Sequence, residues 1–287
     1  MTHIAVLGLG AMGARMATRL IAAGHDVCVY NRTAERAAPL QQLGARIARS
    51  PRDAAEQADI VIAMVTDDAA SRALWLDKET GALAALGTGA LAIESSTLTP
   101  AWVSDLAAAA AARGVGFLDA PVAGSRPQAE AGQLIYLVGG AAPDLERAKP
   151  VLAVLGGAIH HVGPVGQGTA MKLAVNAFFG VQVAAMGEVL GLLRRAGVAT
   201  DAAAEILGAL PVTSPALKGI AGLMAARNFA PLFPIDLVAK DFHYIAAAAQ
   251  AAGADLPVAA AAGDVFTRAK DAGLGGDNIA GVVQLFD

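Results

Sequence analysis

Cysteine is almost missing from this chain: Cys28 is the only one in 287 residues. That excludes a disulfide framework and any cysteine-based zinc site. Charge is also sparse. Charged residues make up 16% and the formal net charge is −4, with an isoelectric point near 5.7. The basic face that a nucleic-acid binder needs is therefore lacking. Aromatic residues are only 5%, so the apolar share of 55% rests mostly on alanine and aliphatic side chains. A mean hydropathy of +0.52 is far from the composition of a disordered chain. The length suits about two domains.

The apolar surplus raises the question of a membrane span. The longest uncharged run, between Lys149 and Lys172, holds Pro150, Gly156, Gly157, Gly163, Pro164, Gly166 and Gly168. Such a segment breaks into turns and does not hold a helix in lipid. The start, Met1-Thr2-His3-Ile4, lacks the basic region of a secretory leader. A soluble, cytoplasmic protein is expected, with neither membrane nor nucleic acid as a partner.

What is present is an alternation. Short β-rich runs at His3–Leu7, Asp26–Tyr30, Ile60–Val65, Leu91–Glu94, Gly116–Asp119 and Ile135–Gly139 are separated by alanine-rich helical stretches. Among these are Ala11–Ala23 and Pro51–Ala58, the latter with Ser50 as N-cap. This is the pattern of a parallel sheet covered by helices. After about residue 165 the strand signals stop. Thr169–Ala196 reads as one long helix, apolar on most faces and ended by Gly197, and helices follow around 201–210, 215–226, 237–252, 258–272 and 279–286. The expected architecture is α/β: an N-terminal domain over residues 1–164 with a mainly parallel sheet, a long interdomain helix, and an all-helical domain over 165–287.

The strongest local signal is Gly8-Leu9-Gly10-Ala11-Met12-Gly13, placed directly after a strand and opening a helix. One glycine makes the turn, the next lets backbone approach a pyrophosphate, and the third packs helix on strand. The phosphates then meet free N–H groups and the positive end of the helix dipole. The second strand ends in Tyr30-Asn31-Arg32-Thr33, where an NAD enzyme usually presents Asp or Glu to the ribose. Donors and a positive charge stand there instead, which favours NADP(H) over NAD(H). Three further blocks lie downstream: Glu94-Ser95-Ser96-Thr97, Asp119-Ala120-Pro121-Val122-Ala123-Gly124-Ser125, and Gly168 with Lys172 and Asn176 opening the long helix. Lys172 and Asn176, at i and i+4, share a helical face. Burying an ammonium favours its neutral form, which suits proton transfer.

In their order and spacing these blocks, with Phe233 and Lys240-Asp241, resemble the β-hydroxyacid dehydrogenase family, which includes 3-hydroxyisobutyrate dehydrogenases and glyoxylate/succinic semialdehyde reductases. The resemblance covers essentially the whole chain. It implies a Rossmann domain, a long helix and an all-helical domain, in agreement with the pattern above. It further implies Lys172 as the catalytic group exchanging a proton with the substrate oxygen. Asn176, Ser96, Ala123, Gly124, Ser125 and Phe233 are implied at the substrate. The cofactor set comprises Gly8, Leu9, Gly10, Ala11, Met12, Gly13, Asn31, Arg32, Thr33, Met64, Val65, Thr66, Thr97 and Lys240. One departure stands out: the family's Pro-Val-Ser-Gly is Pro121-Val122-Ala123-Gly124 here. The hydroxyl that helps hold a carboxylate is absent at Ala123, with Ser125 two residues on.

The function expected is hydride transfer between NADP(H) and a small 3-hydroxy acid or its semialdehyde or oxo-acid partner, in a homodimer or homotetramer. An imine reductase of the same architecture is a rival, though such enzymes generally lack the lysine. A non-catalytic NADP-binding module is another, opposed by Lys172 together with Asn176. No metal is expected. His160 and His161 have no third ligand at suitable spacing and read as part of the connection before the long helix. Asp67-Asp68 reads as a helix cap, Cys28 as apolar filler.

Overall fold

The computed structural model describes residues 2–287. The chain divides into two compact units, Met1–Lys172 and Leu173–Asp287. In the first, nine strands form one sheet: β1 (His3–Leu7), β2 (Asp26–Tyr30), β3 (Arg46–Ile47), β4 (Ile60–Ala63), β5 (Leu91–Glu94), β6 (Gly116–Asp119), β7 (Val122–Ala123), β8 (Leu134–Gly140) and β9 (Gly156–Gly163). The order β3-β2-β1-β4-β5-β6-β8-β7, with β9 also on β8, is doubly wound about β1. All pairings from β3 to β6 are parallel, and β8 runs antiparallel to β6 and β7.

The reason for these strands lies in their burial. β4 and β5 are covered on both faces, as apolar runs in a parallel sheet must be. Helices α1 (Gly13–Ala22), α2 (Ala38–Gln42), α3 (Pro51–Ala55), α4 (Asp68–Leu76), α5 (Pro100–Ala111), α6 (Arg126–Ala131) and α7 (Ala142–Leu155) connect them. One core joins Met16, Leu20, Val29, Ile62 and Leu152. Another joins Leu7, Val61, Trp75, Leu98 and Leu106. Several starts are capped from the local sequence: Ser50 accepts from the Asp53 N–H, Asp67 from that of Ala70, and Thr99 from that of Trp102. Cys28 is buried among apolar neighbours, which pushes its thiol up to about 11.

Three strands go beyond the sequence pattern. β3 and β7 are two residues each, too short to show a period. β9 is glycine-rich at both ends, and its pairing with β8 outweighs weak local propensity. His160 and His161 therefore belong to a strand and not to a connection. The ring Nε2 of His161 lies 2.9 Å from the Gly140 carbonyl oxygen.

Helix α8 (Gln167–Arg195) runs across the division between the units. In the second unit α9 (Thr200–Ala209), α10 (Pro215–Ala225), α11 (Ile235–Ala252) and α12 (Pro257–Ala269) follow, and a 3-10 segment, Ile279–Phe286, ends the chain. By length and composition α8 passes as a membrane span. It nevertheless supplies Leu173, Val183, Met186 and Leu190 to the core of the helical unit, beside Ile235, Phe242 and Phe266.

Candidate active site

The turn after β1 shows why three glycines are needed and for different reasons. Gly8 has φ +95°, and a Cβ on Gly13 would collide with the Gly8 carbonyl oxygen. These two are packing glycines. A Cβ on Gly10 would meet nothing within 4 Å, so the space over this residue is open. No side chain caps the start of α1 and its first turn holds no acidic residue. An open glycine over an uncapped helix N-terminus is a cradle for an anion. The residues present fit a dinucleotide pyrophosphate.

At the end of β2 the three expected cofactor residues separate. Asn31 Oδ1 accepts the Leu9 N–H at 2.8 Å, and its amide donates to the Thr33 carbonyl at 2.9 Å. Both ends of that side chain hold the loop to the glycine turn. Asn31 is thereby a scaffold of the glycine turn. Arg32 and Thr33 are exposed.

At the ends of β4 and β5 a buried carboxylate organises two loops. Glu94 is 1% exposed. It accepts from Ser71 Oγ–H (2.6 Å), the Trp75 indole N–H (2.9 Å) and the Ser96 N–H (3.0 Å). Trp102 donates its indole N–H to Ser71 Oγ at 2.9 Å. Burial pushes the Glu94 carboxyl above its ordinary range, and its hydrogen bonds oppose that shift. Ser96 Oγ accepts the Val65 N–H at 2.8 Å. Ser96 thus joins the β4 and β5 loops through its side chain. Met64, Val65 and Thr97 are half-buried on these same loops, and Thr66 is exposed.

The loop after β6 holds Ala123, which pairs with Ile135, and exposed Gly124, with φ +117°. Ser125 is the N-cap of α6, where its N–H donates to Gln128 Oε1 at 2.9 Å. Its expected role as the substitute hydroxyl competes with that position. At the end of β6, Asp119 accepts the Gly166 and Thr169 N–H groups at 2.9 and 2.7 Å. Burial pushes its carboxyl up against those two bonds. Lys172 stands half-buried on α8, three residues beyond Thr169.

In the helical unit, Asn176 donates its amide to Asp241 Oδ2 at 2.6 Å, and Lys240 Nζ lies 2.9 Å from Oδ1 of the same carboxylate. The Lys240 ammonium also lies 4.6 Å from the centre of the Tyr244 ring. Phe233 is half-buried against the helical core, its N–H donating to Asn278 Oδ1 at 3.2 Å. Sequence reasoning assigns no role to Glu94, Asp119 or Asp241. The available signal is that each is an acidic residue inside a block already marked out. Among the described residues no group of three or more His, Cys, Asp or Glu could hold a metal ion.

Two family models cover the chain. Residues 3–163 match the NAD binding domain of 6-phosphogluconate dehydrogenase, and residues 166–286 match the NAD-binding model of NADP-dependent 3-hydroxyisobutyrate dehydrogenase. Among curated relatives, an NAD-dependent L-serine dehydrogenase of Pseudomonas aeruginosa is 35% identical across 100% of this chain and 98% of that one. Glyoxylate/succinic semialdehyde reductase 1 of Arabidopsis thaliana is 33% identical across 98% and 97%. Among solved structures, the Mycobacterium tuberculosis 3-hydroxyisobutyrate dehydrogenase with L-serine matches with a TM-score of 0.90, 31% identity and 99% of both chains.

Proposed function

The chain belongs to the β-hydroxyacid dehydrogenase family, and on that premise we propose that it moves a hydride between NADP(H) and a small 3-hydroxy acid or the matching semialdehyde or oxo acid. The observation that carries this is the open Gly10 position over the uncapped start of α1. The bound nicotinamide supplies or accepts the hydride, which no side chain can do.

The residues of the chain supply the remainder. Backbone N–H groups at the start of α1 receive the pyrophosphate, and Arg32, exposed just beyond the end of β2, receives the 2′-phosphate through its guanidinium fork. Residues of the β4 and β5 loops, Met64 to Thr66 and Thr97, line the cofactor, and Lys240 stands near it. Lys172 gives a proton to the substrate oxygen during reduction and takes it back during oxidation. Backbone at Ala123 and Gly124 holds the carboxylate, while Asn176, fixed by Asp241, orients the substrate and Phe233 lines its pocket. Phe178 and Leu192 on α8 are 72% and 66% exposed. Such apolar surface supports a homodimer or homotetramer, which light scattering tests.

The test is turnover of glyoxylate, succinic semialdehyde, tartronate semialdehyde, L-serine and 3-hydroxyisobutyrate with each cofactor, in wild type and Lys172→Ala. Turnover should favour NADPH, and Lys172→Ala should lower kcat by about 10²-fold or more, the size of a general-acid contribution, with cofactor affinity nearly intact. Unchanged turnover in the variant would remove Lys172 from the mechanism. Equal or better use of NADH would remove the assignment of Arg32.

A further inference from the structure

Helix α8 begins without a cap of its own. The residue before it is Gly166, with φ +89° and no side chain to offer its first N–H groups. The cap comes from across the sheet, 47 and 50 residues earlier in the chain. Asp119 closes β6 and is completely buried. Oδ1 accepts the Gly166 N–H, and Oδ2 accepts that of Thr169, the third residue of the helix. Its charge faces the positive end of the helix dipole.

The approach is close on the other side as well. A Cβ on Gly168 would run into backbone at Leu137, Asp119 and Gly139, and one on Gly139 would strike the Asp119 carboxylate. The first turn of α8 is therefore pressed against β6 and β8 and fastened there by two hydrogen bonds. Lys172 follows Thr169 by three residues, on the same side of the helix. A slip of one residue in that turn would move Lys172 by about 1.5 Å and rotate it by roughly 100°. The same aspartate also begins the loop that carries Ala123 and Gly124.

We infer that Asp119 is a positioning residue for Lys172, holding the first turn of α8 in register with the loop that follows β6. It rests on the proposed role of Lys172. The side chain touches neither substrate nor cofactor in this role. It acts by fixing the origin of the helix from which the lysine projects. Misplacement by about 1 Å costs on the order of 10²-fold in rate, so the register is where the effect should be read.

The experiment is a double-mutant cycle in the full chain, with Asp119→Ala, Lys172→Ala and the pair, using glyoxylate and NADPH as probes. Asp119→Ala should lower kcat by about 10- to 100-fold, while the dissociation constant for NADPH, read by its fluorescence, changes by less than about 2-fold. In the Lys172→Ala background the same substitution should change residual turnover by less than about 3-fold, since coupled residues are not additive. Hydrogen exchange of the protein without cofactor should speed up over residues 164–172. Asp119→Asn keeps one acceptor, so it provides a milder version of every effect should the alanine variant fail to fold. Full kcat in both Asp119 variants would overturn the inference. So would an equal loss of rate in both backgrounds, or unchanged exchange. Wild-type turnover in Lys172→Ala alone would instead overturn the lysine mechanism, and this inference with it.

Discussion

Asn176 donates its amide to the Asp241 carboxylate at 2.6 Å. The other oxygen of that carboxylate lies 2.9 Å from Lys240 Nζ, and the Asp241 side chain is 4% exposed. An amide from α8 and an ammonium from α11 thus share one buried anion. Asp241→Ala would leave both donors without it, at a cost of about 2–3 kcal/mol. This is below the full range for a broken buried pair because Lys240 keeps some contact with water. Urea unfolding of wild type and variant measures the cost. A loss under about 1 kcal/mol would mean that the pair adds little to the helical unit.

The glycine turn makes a sharper pair of predictions, because two of its glycines differ in what surrounds them. Gly13→Ala should cost about 1–3 kcal/mol or more, since the new methyl meets backbone and not a movable side chain. Gly10→Ala adds a methyl to open space and should leave the stability of the free protein within about 0.5 kcal/mol. Its effect should appear in cofactor affinity, weakened by about tenfold, or roughly 1.4 kcal/mol. Thermal melts with and without NADPH separate the two. Equal melting loss in both variants without cofactor would refute the distinction.

Much of the fold is legible in the order of the residues alone. β2, β5 and β6 fall where alternating or continuous apolar residues place them, because burial on a sheet imprints a local pattern. The glycine motif is legible for the same reason, as strand, turn and helix are contiguous. What escapes a reading of the sequence is contact between residues distant in the chain. The buried carboxylates of Glu94, Asp119 and Asp241 each accept from partners 19 to 65 residues away, and no spacing rule encodes those contacts. Ser96 and Asn31 show the converse: each sits in a functional block, yet its polar atoms hold neighbouring loops together. β9 leaves no signal of its own because pairing with β8, and not its composition, makes it a strand.

Glu94 offers a pH signature. Burial raises its carboxyl in the folded state, so the folded protein holds this proton more tightly than the unfolded chain. Its contribution to stability is therefore complete below the ordinary glutamate value and declines as pH rises through the elevated folded value. Glu94→Gln cannot titrate. It also presents an NH₂ group where the carboxylate accepted three hydrogen bonds, and one mismatched donor costs about 1–3 kcal/mol. The difference in urea midpoint between wild type and Glu94→Gln should be largest at acid pH and shrink toward neutrality. A difference that widened with pH would show that the carboxyl is held below its usual value, against the burial argument.

On the proposed reading, Arg32 is the residue that selects NADP(H) over NAD(H). With both ends of the Asn31 amide held by Leu9 and Thr33, the exposed guanidinium next to it is a cation placed at this strand end to meet a phosphate. A charge-assisted hydrogen bond is worth about 1.5–3 kcal/mol. Removing it in Arg32→Ala should therefore lower kcat/KM with NADPH by about 10- to 100-fold. Because NADH has no 2′-phosphate, its kcat/KM should move by less than about 3-fold, so that the preference narrows or reverses. The same substitution should flatten the salt dependence of NADPH binding, since one cation facing the phosphate is lost. An equal loss with both cofactors would place Arg32 at the shared part of the dinucleotide and leave discrimination to another residue.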